Sequence, residues 1–460
     1  MNQELNNWID NHRKEIIDSL CALMRFKSVK SAPDIAYMPF GKGVAEALDY
    51  MLSLGEQYGF TSKNLDGYAG FIESEPYGKE LVGILTHLDV VPAGEGWDTD
   101  PFGSEIVSGR ICGRGAMDDK GPTIASFFAM LALKECGIPL NRRLRLIMGC
   151  DEESGLTCID HYRKTEEIPT MSFSPDADYP LVNSEKHIYH AFYECETDSD
   201  ITIECGERVN IVPLLATALV PFPAGEVERL VSDAMKKIGF EYSLIEADGK
   251  TKIEVYGKAS HSSQPEKGKN ALQALFYLLT FLPLKESDSK LIHLLYDMFR
   301  LEYNGASLGL EREDESGRLT LNVGVMHWTP EGFEMQIDIR APFCTTREEI
   351  ENIINARISG SGITCGNKTK FVDGLFVPED SELVVKLLKA YRDFTGDYRP
   401  PVKMGGGTYA RKLPNAIAFG IQFPGKESVA HMPNEFIDIE DLILNTKILA
   451  HAMMTLATDE

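Results

Sequence analysis

Residues 81–89 read LVGILTHLD, a run of hydrophobic residues that ends on a histidine and an aspartate. Other hydrophobic runs are also followed by acidic or imidazole side chains, and one acidic pair follows a glycine-rich turn. The side chains placed in this way are His87, Asp118, Glu152 with Glu153, Asp176 and His431. Imidazoles and carboxylates at the carboxyl ends of strands are the ligands that a pair of hydrolytic divalent metals needs, and ligands bind at that edge of open α/β sheets. The pattern therefore predicts an enzyme with two metal sites.

The composition excludes several classes of partner. The net charge of −24 would repel nucleic acids and anionic membranes. The first residues, MNQELNNW, have neither the basic nor the apolar region of a signal peptide, and no apolar stretch approaches the roughly 18 residues of a membrane helix. Nine scattered cysteines without a CxxC pair are typical of reduced thiols. We therefore expect a cytoplasmic protein with no nucleic-acid and no membrane partner.

The chain of 460 residues is too long for one ordinary core, so we expect two domains. In residues 1–186, helical spacing alternates with the hydrophobic runs, which predicts a mainly parallel mixed sheet with flanking helices. From His187 onward, apolar and polar residues alternate, which is typical of an α+β segment. Because the candidate ligands lie on both sides of this segment, the first and last parts of the chain must share one domain. The predicted fold class is α/β, with a discontinuous catalytic domain of residues 1–186 and 380–460 and an inserted α+β lid domain of residues 187–379.

The spacing of apolar residues also predicts individual elements. Helices are predicted at 11–26, 43–58, 122–135, 226–238, 270–281 and 347–354, with two more from residue 381 and at the carboxyl terminus. Strands of the α+β segment, arranged in two βαβ-like halves, are predicted at 189–194, 201–205, 216–220, 252–256, 319–325 and 334–339.

His87 and Asp89 are two residues apart at a strand end, so their side chains leave the same face. We expect the Asp89 carboxylate to accept the second ring N–H of His87, which fixes the tautomer of a metal ligand. The alternative is a buried structural histidine with an aspartate nearby at the surface.

Two pairs of consecutive acids each offer a choice of ligand. One carboxylate of Asp118 or Asp119 can bridge two metals about 3.5–4 Å apart, while both acids could instead only cap the helix that follows. A bend after the third hydrophobic run could place one of Glu152 and Glu153 on a metal and leave its neighbour beside the bound water as a general base. The alternative for this second pair is an exposed acidic turn. Cys150, which comes just before it, is expected to pack in the core rather than bind a metal.

Asp176 and His431 are weak candidates when each is taken alone. They lie in the segments SPDADYP and AHMPNE, which are rich in turn residues, and Asp is common in such turns without any ligand. Their candidacy depends on the coincidence of all five groups at strand ends.

Together, these motifs resemble a known family. The motifs are HLD at 87–89, GRG leading to DDKG at 113–121, DEE at 151–153, SPDA at 174–177 and HxxNE at 431–435. They are similar to those of the co-catalytic zinc peptidases, which include carboxypeptidase G, the aminoacylases, ArgE, DapE and the PepV-type bacterial dipeptidases. The segments DVVPAGEGW at 89–97 and GGGTY at 405–409 look most like the PepV-type enzymes. The resemblance covers most of the chain and is weakest at residues 281–333.

The resemblance implies two divalent metal ions per chain, with Zn²⁺ first and Mn²⁺ or Co²⁺ suited to the same ligands. It implies that Asp118 bridges the ions and that the peptide bond from Asp118 to Asp119 is cis. Glu152 would be the base, and Asp89 the partner of the histidine that precedes it. The implied ligands are His87, Asp118 and Asp176 for one ion and Asp118, Glu153 and His431 for the other.

Matches in the predicted lid domain imply substrate-binding residues. His261, in ASHSSQP, corresponds to a histidine that polarises the scissile carbonyl, where one donor is worth roughly 3–4 kcal/mol. Asn210 and Arg340 match residues that grip the substrate, and Arg340 could hold its carboxylate in a bidentate pair. Backbone N–H groups would supply further anion donors, at Gly406, Gly407 and Thr408. The alternatives are a histidine in a polar surface loop, an asparagine in a turn and a strand arginine in a salt bridge.

The sequence thus predicts a monomeric dipeptidase with two metals, whose partner is a small peptide substrate and whose bridging water is deprotonated by Glu152. Within the enzymes, the alternative is a deacylase of N-acyl amino acids that resembles ArgE or aminoacylase. The alternative of another class is a metal-free binding protein with the same fold. That alternative predicts the loss of a ligand or of the base, and all of these residues are present.

Overall fold

The computed structural model describes residues 1–33, 38–75 and 78–458. The chain divides into two units, and each has a hydrophobic core of its own. The first unit consists of residues 1–184, 375–403 and 408–460, and the second consists of residues 185–374 and 404–407. The predicted class, α/β with an inserted α+β segment, is confirmed.

Helices and strands alternate in the first part of the chain, and strands predominate in the second unit. The helices are α1 (Gln3–Asn11), α2 (Arg13–Met24), α3 (Lys42–Gln57), α4 (Lys120–Glu135), α5 (Thr157–Thr165), α6 (Ala224–Ile238), α7 (Ala271–Leu279), α8 (Glu286–Phe299), α9 (Arg347–Ile358), α10 (Glu382–Thr395) and α11 (Ile439–Ala457). Among the described residues, no helix combines the length and the apolar character needed to cross a bilayer.

The strands vary from two to ten residues in length. The first ten are β1 (Thr61–Leu65), β2 (Ala69–Glu73), β3 (Leu81–His87), β4 (Glu105–Val107), β5 (Arg110–Cys112), β6 (Arg143–Gly149), β7 (Met171–Ser174), β8 (Ala177–Asp178), β9 (Val182–Glu185) and β10 (His187–Glu196). The next ten are β11 (Thr202–Cys205), β12 (Leu215–Val220), β13 (Glu241–Ala247), β14 (Lys250–Tyr256), β15 (Glu313–Asp314), β16 (Gly317–Arg318), β17 (Thr320–Trp328), β18 (Gly332–Ala341), β19 (Thr364–Cys365) and β20 (Lys370–Val372). The last five are β21 (Leu375–Phe376), β22 (Val402–Met404), β23 (Ala416–Ala418), β24 (Ile421–Gln422) and β25 (Phe436–Asp438).

A mixed sheet forms the centre of the first unit, with the order β1-β2-β6-β3-β7-β23-β9-β21 and with β22 beside β9. The central strands β6, β3, β7 and β23 run parallel, whereas β1–β2, β2–β6 and β23–β9 are antiparallel pairs. Strands β3 and β7 are buried along their whole length, which explains their apolar and small residues. Because the central strands are parallel, their carboxyl ends lie at one edge of the sheet.

Helix α4 begins directly after Asp118 and Asp119 and is buried on nearly all sides, as the apolar sequence at 122–135 predicts. It packs against α2, α11 and β3. At Gly121, a β-carbon would lie only 2.1 Å from the carbonyl oxygen of Ala116, so only glycine lets the helix begin this close to the preceding turn. The helix therefore holds the two aspartates beside the end of β3.

The second unit contains a sheet with the order β13-β14-β12-β11-β17-β18-β10-β19, with β20 beside β10. Its pairs are antiparallel. Helix α6 joins β12 to β13, which flank β14, and α9 joins β18 to β19, which flank β10. These connections form the two predicted βαβ-like halves. Apolar residues of α6, α7, α8 and α9 complete the core of this unit.

Candidate active site

The carboxyl edge of the parallel strands collects the candidate ligands of the first unit. His87 is the last residue of β3, Glu153 lies in the turn after β6, and Asp176 follows β7. Asp118 precedes α4, and His431 lies in the loop between β24 and β25. Segments that are remote in the chain thus meet at one edge of the sheet.

Asp118 lies between two histidines. Its Oδ1 is 3.0 Å from Nε2 of His87, and its Oδ2 is 3.0 Å from Nε2 of His431. Each histidine also approaches a second acid. Nε2 of His87 is 3.6 Å from Oδ2 of Asp176, and Nε2 of His431 is 3.0 Å from Oε1 of Glu153. The two oxygens of one carboxylate therefore face two separate pairs of imidazole and carboxylate.

Buried polar atoms at this cluster fit a metal ion. Nε2 of His87 and Oδ1 of Asp118 make no hydrogen bond with a described residue, although they are only 3.0 Å apart. Because buried polar atoms are nearly always hydrogen-bonded, two that converge in this way have the arrangement of ligands around a cation. One candidate ligand atom each from His87, Asp118 and Glu153 lies within 4.8 Å of the others. Imidazole and carboxylate together suit Zn²⁺, Mn²⁺ and Co²⁺.

The ring of His87 is oriented by a main-chain carbonyl, which corrects the expected contact with the Asp89 carboxylate. Nδ1 of His87 donates to the backbone oxygen of Asp89 at 2.9 Å, whereas the carboxylate oxygen is 3.6 Å away. The carboxylate instead accepts the backbone N–H groups of Glu152 and Glu153, at 3.0 and 3.1 Å. Because Nδ1 carries the proton of this hydrogen bond, Nε2 is the ring nitrogen that faces the cluster.

Asp89 and Asp151 shape the turn that carries Glu152 and Glu153. The buried carboxylate of Asp151 accepts hydrogen bonds from Lys30 at 2.6 Å and from the hydroxyl of Ser154 at 2.7 Å. Asp89 holds the two backbone N–H groups of the acidic pair. Within the described part of the chain, the carboxylate of Glu152 has no hydrogen-bond or ion-pair partner. The turn thus presents the carboxylate of Glu153, which contacts His431, and that of Glu152, which has no partner among the described residues.

The cluster is buried and rich in acids, and burial, hydrogen bonding and neighbouring charges shift several pKa values. Burial raises the pKa of Glu152 to about 8, with His87 opposing the shift and neighbouring carboxylates adding to it. Burial and then the charge of Asp118 raise the pKa of Asp176. Hydrogen bonding to Asp118 and then to a second acid raises the pKa of His431 to about 10. Neighbouring carboxylates repel one another when they are ionised. A divalent cation bound among them would offset this repulsion.

Asp119 contacts the backbone of β3 rather than capping α4. Its side chain makes no cap hydrogen bond, and its Oδ2 accepts the backbone N–H of His87 at 2.9 Å. The cis peptide bond between Asp118 and Asp119 is confirmed. Of the two consecutive acids, the structure thus brings Asp118 to the histidines and Asp119 to the strand.

In the second unit, the candidate substrate-binding residues Asn210 and His261 lie on facing segments. The backbone N–H of Ser262 donates to the carbonyl of Asn210 at 2.9 Å. The N–H of Ser263 donates to Nδ1 of His261 at 3.1 Å, so the neutral ring carries its proton on Nε2. Burial and then the charge of Arg340 lower the pKa of His261. His261 is therefore a neutral hydrogen-bond donor through Nε2.

Arg340 is buried and already paired. Its Nε and Nη2 donate to the two carboxylate oxygens of Asp338 at 2.7 and 2.8 Å, and its Nη1 donates to the carbonyl of Gly405 at 3.0 Å. Nε2 of His190 lies 2.9 Å from the same carboxylate. Although burial opposes it, hydrogen bonding to His190 and Arg340 lowers the pKa of Asp338. The edge of the guanidinium formed by Nε and Nη2 is therefore occupied, and only Nη1 and Nη2 have protons left for an anion.

The glycine-rich segment GGGTY, residues 405–409, is divided between the two units. Gly406 and Gly407 belong to the second unit and Thr408 to the first. At Gly405, a β-carbon would lie 2.6 Å from Cβ of Ser263, so this end of the loop packs against the segment of His261.

Tyr409 and Glu435 are buried, and both contact residues of the cluster. The sequence motifs do not indicate a role for either side chain. The ring of Tyr409 stands edge-on to that of His87, with centroids 6.5 Å apart. Glu435 accepts the backbone N–H of Asp118 at 3.2 Å. Both residues lie in the motifs GGGTY and HxxNE, but a motif does not show which backbone atoms its side chains reach.

The model of the peptidase family M20/M25/M40 matches residues 83–455, so the chain belongs to this family. This membership confirms the resemblance that the motifs carry. The matched residues include both the candidate metal ligands of the first unit and the candidate substrate-binding residues of the second.

Curated relatives and solved structures agree with the family. The chain is 39% identical over 432 residues to "Putative dipeptidase YtjP" of Bacillus subtilis (strain 168), covering 91% of this chain and 92% of that protein. It is 33% identical over 472 residues to "Putative dipeptidase SH1171" of Staphylococcus haemolyticus (strain JCSC1435), covering 98% and 99%. The fold is similar to that of human carnosine dipeptidase 1, with a TM-score of 0.58, 15% identity and coverage of 99% and 98%. It is also similar to that of the di-peptidase Dug1p from Saccharomyces cerevisiae, with a TM-score of 0.57, 17% identity and coverage of 100% and 99%.

Proposed function

We propose that this member of the family is a dipeptidase that depends on two divalent metal ions, with Zn²⁺ as the first choice and Mn²⁺ or Co²⁺ as alternatives. The observation that carries the proposal is the position of Asp118, whose two oxygens each lie 3.0 Å from a different histidine nitrogen. The names of the relatives support a dipeptide as the substrate. The proposed binding partner of the protein is therefore a small peptide substrate.

The proposed ligands divide into two sets that share Asp118. His87 and Asp176 complete one set, and Glu153 and His431 complete the other. When bound, a pair of such ions lowers the pKa of water toward about 7 and polarises a carbonyl oxygen. The bond from Nδ1 of His87 to the backbone keeps Nε2 available as a ligand atom.

Glu152 is the proposed general base. Its carboxylate has no partner among the described residues, while the backbone around it is held by Asp89. In the proposed reaction, Glu152 accepts a proton from the attacking water and returns it to the leaving amine. Asp89 acts through the backbone, because it fixes the turn on which Glu152 and Glu153 lie.

The second unit supplies the proposed substrate-binding residues. His261 donates from Nε2 to the carbonyl oxygen as negative charge develops there, and one such donor is worth roughly 3–4 kcal/mol. The remaining protons of Arg340, together with Asn210 and the backbone N–H groups of Gly406, Gly407 and Thr408, bind the polar ends of the peptide. In this proposal, the first unit is the catalytic domain and the second is the lid.

Turnover of a panel of dipeptides by chelator-treated and metal-restored protein tests the proposal. We expect no turnover after chelation and recovery with Zn²⁺ or Mn²⁺. N-acetyl amino acids serve as the comparison substrates, because faster cleavage of these would make the protein a deacylase. Fewer than one bound ion per chain, with no activity restored by either metal, would contradict a metal-dependent hydrolase of any kind.

A further inference from the structure

Glu435 is fully buried and uses both carboxylate oxygens on the loop that leads to Asp118. Its Oε1 accepts the backbone N–H groups of Gly115 at 3.0 Å, Met117 at 2.9 Å and Asp118 at 3.2 Å. Its Oε2 accepts a hydrogen bond from Nη1 of Arg114 at 2.6 Å. A carboxylate that receives three backbone N–H groups and a guanidinium fixes the course of that loop.

The pairing of β5 with β25 brings this contact about. Strand β5 ends at Cys112, just before the loop, and β25 begins at Phe436, just after Glu435, and these two strand residues are partners in the antiparallel register. The backbone N–H of Gly113 also donates to the carbonyl of Glu435 at 2.8 Å. The short sheet therefore aligns Glu435 with the loop, and the side chain completes the alignment.

Arg114 extends the contact to two further loops. The guanidinium is buried with Glu435, at 1% and 0% exposure of the two side chains. Its Nη1 also donates to the carbonyl of Met432 at 3.3 Å, and its Nη2 donates to those of Pro92 and Ala93 at 3.4 and 3.3 Å. The pair therefore ties together the loops that follow β3, precede α4 and precede β25.

His431 lies outside the helices and strands, so its position depends on the course of its loop. Its side chain is 52% exposed, and its backbone has a φ of +64°, in the left-handed region that is strained for residues other than glycine. It lies in an irregular loop, four residues before Glu435 and next to Met432, whose carbonyl is held by Arg114. By contrast, His87 lies at the end of a fully buried strand.

We infer that Glu435, paired with Arg114, is a positioning residue that sets the separation between Asp118 and His431. The inference rests on the proposed metal site and deepens it. Glu435 is not a ligand, because its oxygens are occupied by the backbone and by Arg114. Glu435 accepts the backbone N–H of Asp118, and it precedes β25 in the same loop as His431. The ion proposed for Asp118, Glu153 and His431 therefore depends on Glu435 more than the other ion does.

Metal titration of Glu435→Gln tests the inference. Glutamine has the same shape, but it lacks the charge that pairs with Arg114, and its NH₂ group is a poor neighbour for either set of donors. Zn²⁺ affinity of the metal-free protein is measured by competition with a chromophoric chelator. We expect one of the two ions, the one proposed for Asp118, Glu153 and His431, to bind about 10- to 100-fold less tightly. Loss of dipeptide turnover at limiting Zn²⁺ should be reversed by excess Zn²⁺, with KM unchanged.

Glu73→Gln is the matched control. Glu73 is a half-buried acid of the first unit that pairs with Arg143 and Arg145, and no candidate ligand is its partner. This control should lower the melting temperature and leave both Zn²⁺ affinities at the wild-type values. If Glu435→Gln behaves in the same way as the control, Glu435 is merely structural and the inference is overturned.

A second variant covers the case in which Glu435→Gln does not fold. The double change Arg114→Gln with Glu435→Gln removes both buried charges, so no guanidinium is left unpaired. We expect this protein to fold and still to bind the ion proposed for Asp118, Glu153 and His431 more weakly, and wild-type affinity for that ion would overturn the inference. Failure of the proposed function is distinguishable, because the wild-type protein itself would then bind fewer than two ions.

Discussion

Glu152 and Glu153 are consecutive acids with different surroundings. The carboxylate of Glu153 is 3.0 Å from Nε2 of His431, whereas that of Glu152 has no hydrogen-bond or ion-pair partner in the described ranges. The backbone N–H groups of both residues donate to Asp89, so the chain turns here and the two side chains separate. In the proposed mechanism, one acid binds a metal and the other transfers a proton.

Replacement of Glu152 by glutamine tests this division of roles. Glutamine keeps the shape of the side chain but has no basic carboxylate. Since general base catalysis contributes typically 10²–10⁴-fold, kcat for a dipeptide should fall by about that factor. The metal content, measured by inductively coupled plasma mass spectrometry, should stay at the wild-type value because no ligand is lost.

Glu153→Gln makes the same chemical change one residue further along and is the matched control. We expect it to lower the metal content, because it removes the carboxylate next to His431. If Glu152→Gln lost metal and Glu153→Gln retained it, the two roles would have to be exchanged.

The meeting of these side chains could be predicted from the sequence, but their hydrogen bonds could not. His87 and Asp176 follow runs that form adjacent parallel strands, and such strands end at one edge of a sheet. The spacing of two residues predicts that the side chains of His87 and Asp89 leave the same face of the strand. It does not determine the torsion angles of the turn after the strand. Those angles bring the carbonyl of Asp89, rather than its carboxylate, to the ring.

Strand β6 ends in a tightly packed contact. Its last residue, Gly149, is paired with His87 in the parallel ladder. A β-carbon on Gly149 would lie 2.3 Å from the hydroxyl oxygen of Tyr409 and 2.9 Å from Sγ of Cys158. Because the ring of Tyr409 packs on that of His87, the end of β6 is coupled to the candidate metal site.

Gly149→Ala should therefore destabilise the protein. Overpacking of a close-packed core costs typically about 1–3 kcal/mol, and urea unfolding measures the loss. Gly225→Ala, in the first turn of α6, is the control because a β-carbon there meets nothing within 4 Å. That change should stabilise the protein by up to about 1 kcal/mol, since alanine is the better helix former. A Gly149→Ala protein as stable as the wild type would contradict this packing argument.

Elements with strong hydrophobic spacing could be predicted from the sequence, whereas several weaker ones, including α1, β13 and α8, could not. Helix α1 was not predicted, although Asn2 caps it by accepting the backbone N–H groups of Glu4 and Leu5. Strand β13 is nowhere fully buried, so its alternation of polar and apolar residues is weak. Helix α8 buries Ile292, Leu295 and two later apolar residues among many polar ones, and its stripe is correspondingly narrow.

In the first unit, His451 lies where three helices meet. Its Nε2 lies 3.2 Å from Oδ1 of Asn6 in α1, and its ring stands edge-on to that of Phe394 in α10, at 4.8 Å between centroids. His451 itself belongs to α11 and is 4% exposed. Burial and then the positive amino terminus lower its pKa from 6.5 to about 4. Between these values, the folded protein keeps the imidazole neutral while the unfolded chain protonates it.

The free energy of unfolding should therefore depend on pH through His451. The contribution is fully present above pH 6.5 and is lost progressively as the pH falls toward 4, with a slope of at most about 1.4 kcal/mol per pH unit. His451→Gln keeps an amide donor for Asn6 but removes the titrating group. Urea unfolding across this range should give a smaller slope for the variant, and equal slopes would show that His451 does not carry this dependence.

The position of Asp118 between two histidines is tested most directly by anomalous diffraction at the zinc absorption edge, from crystals grown with Zn²⁺. We expect two peaks about 3.5–4 Å apart, one beside Nε2 of His87 and one beside Nε2 of His431, with the carboxylate of Asp118 in contact with both. A single peak, or none within this cluster, would contradict a two-metal site.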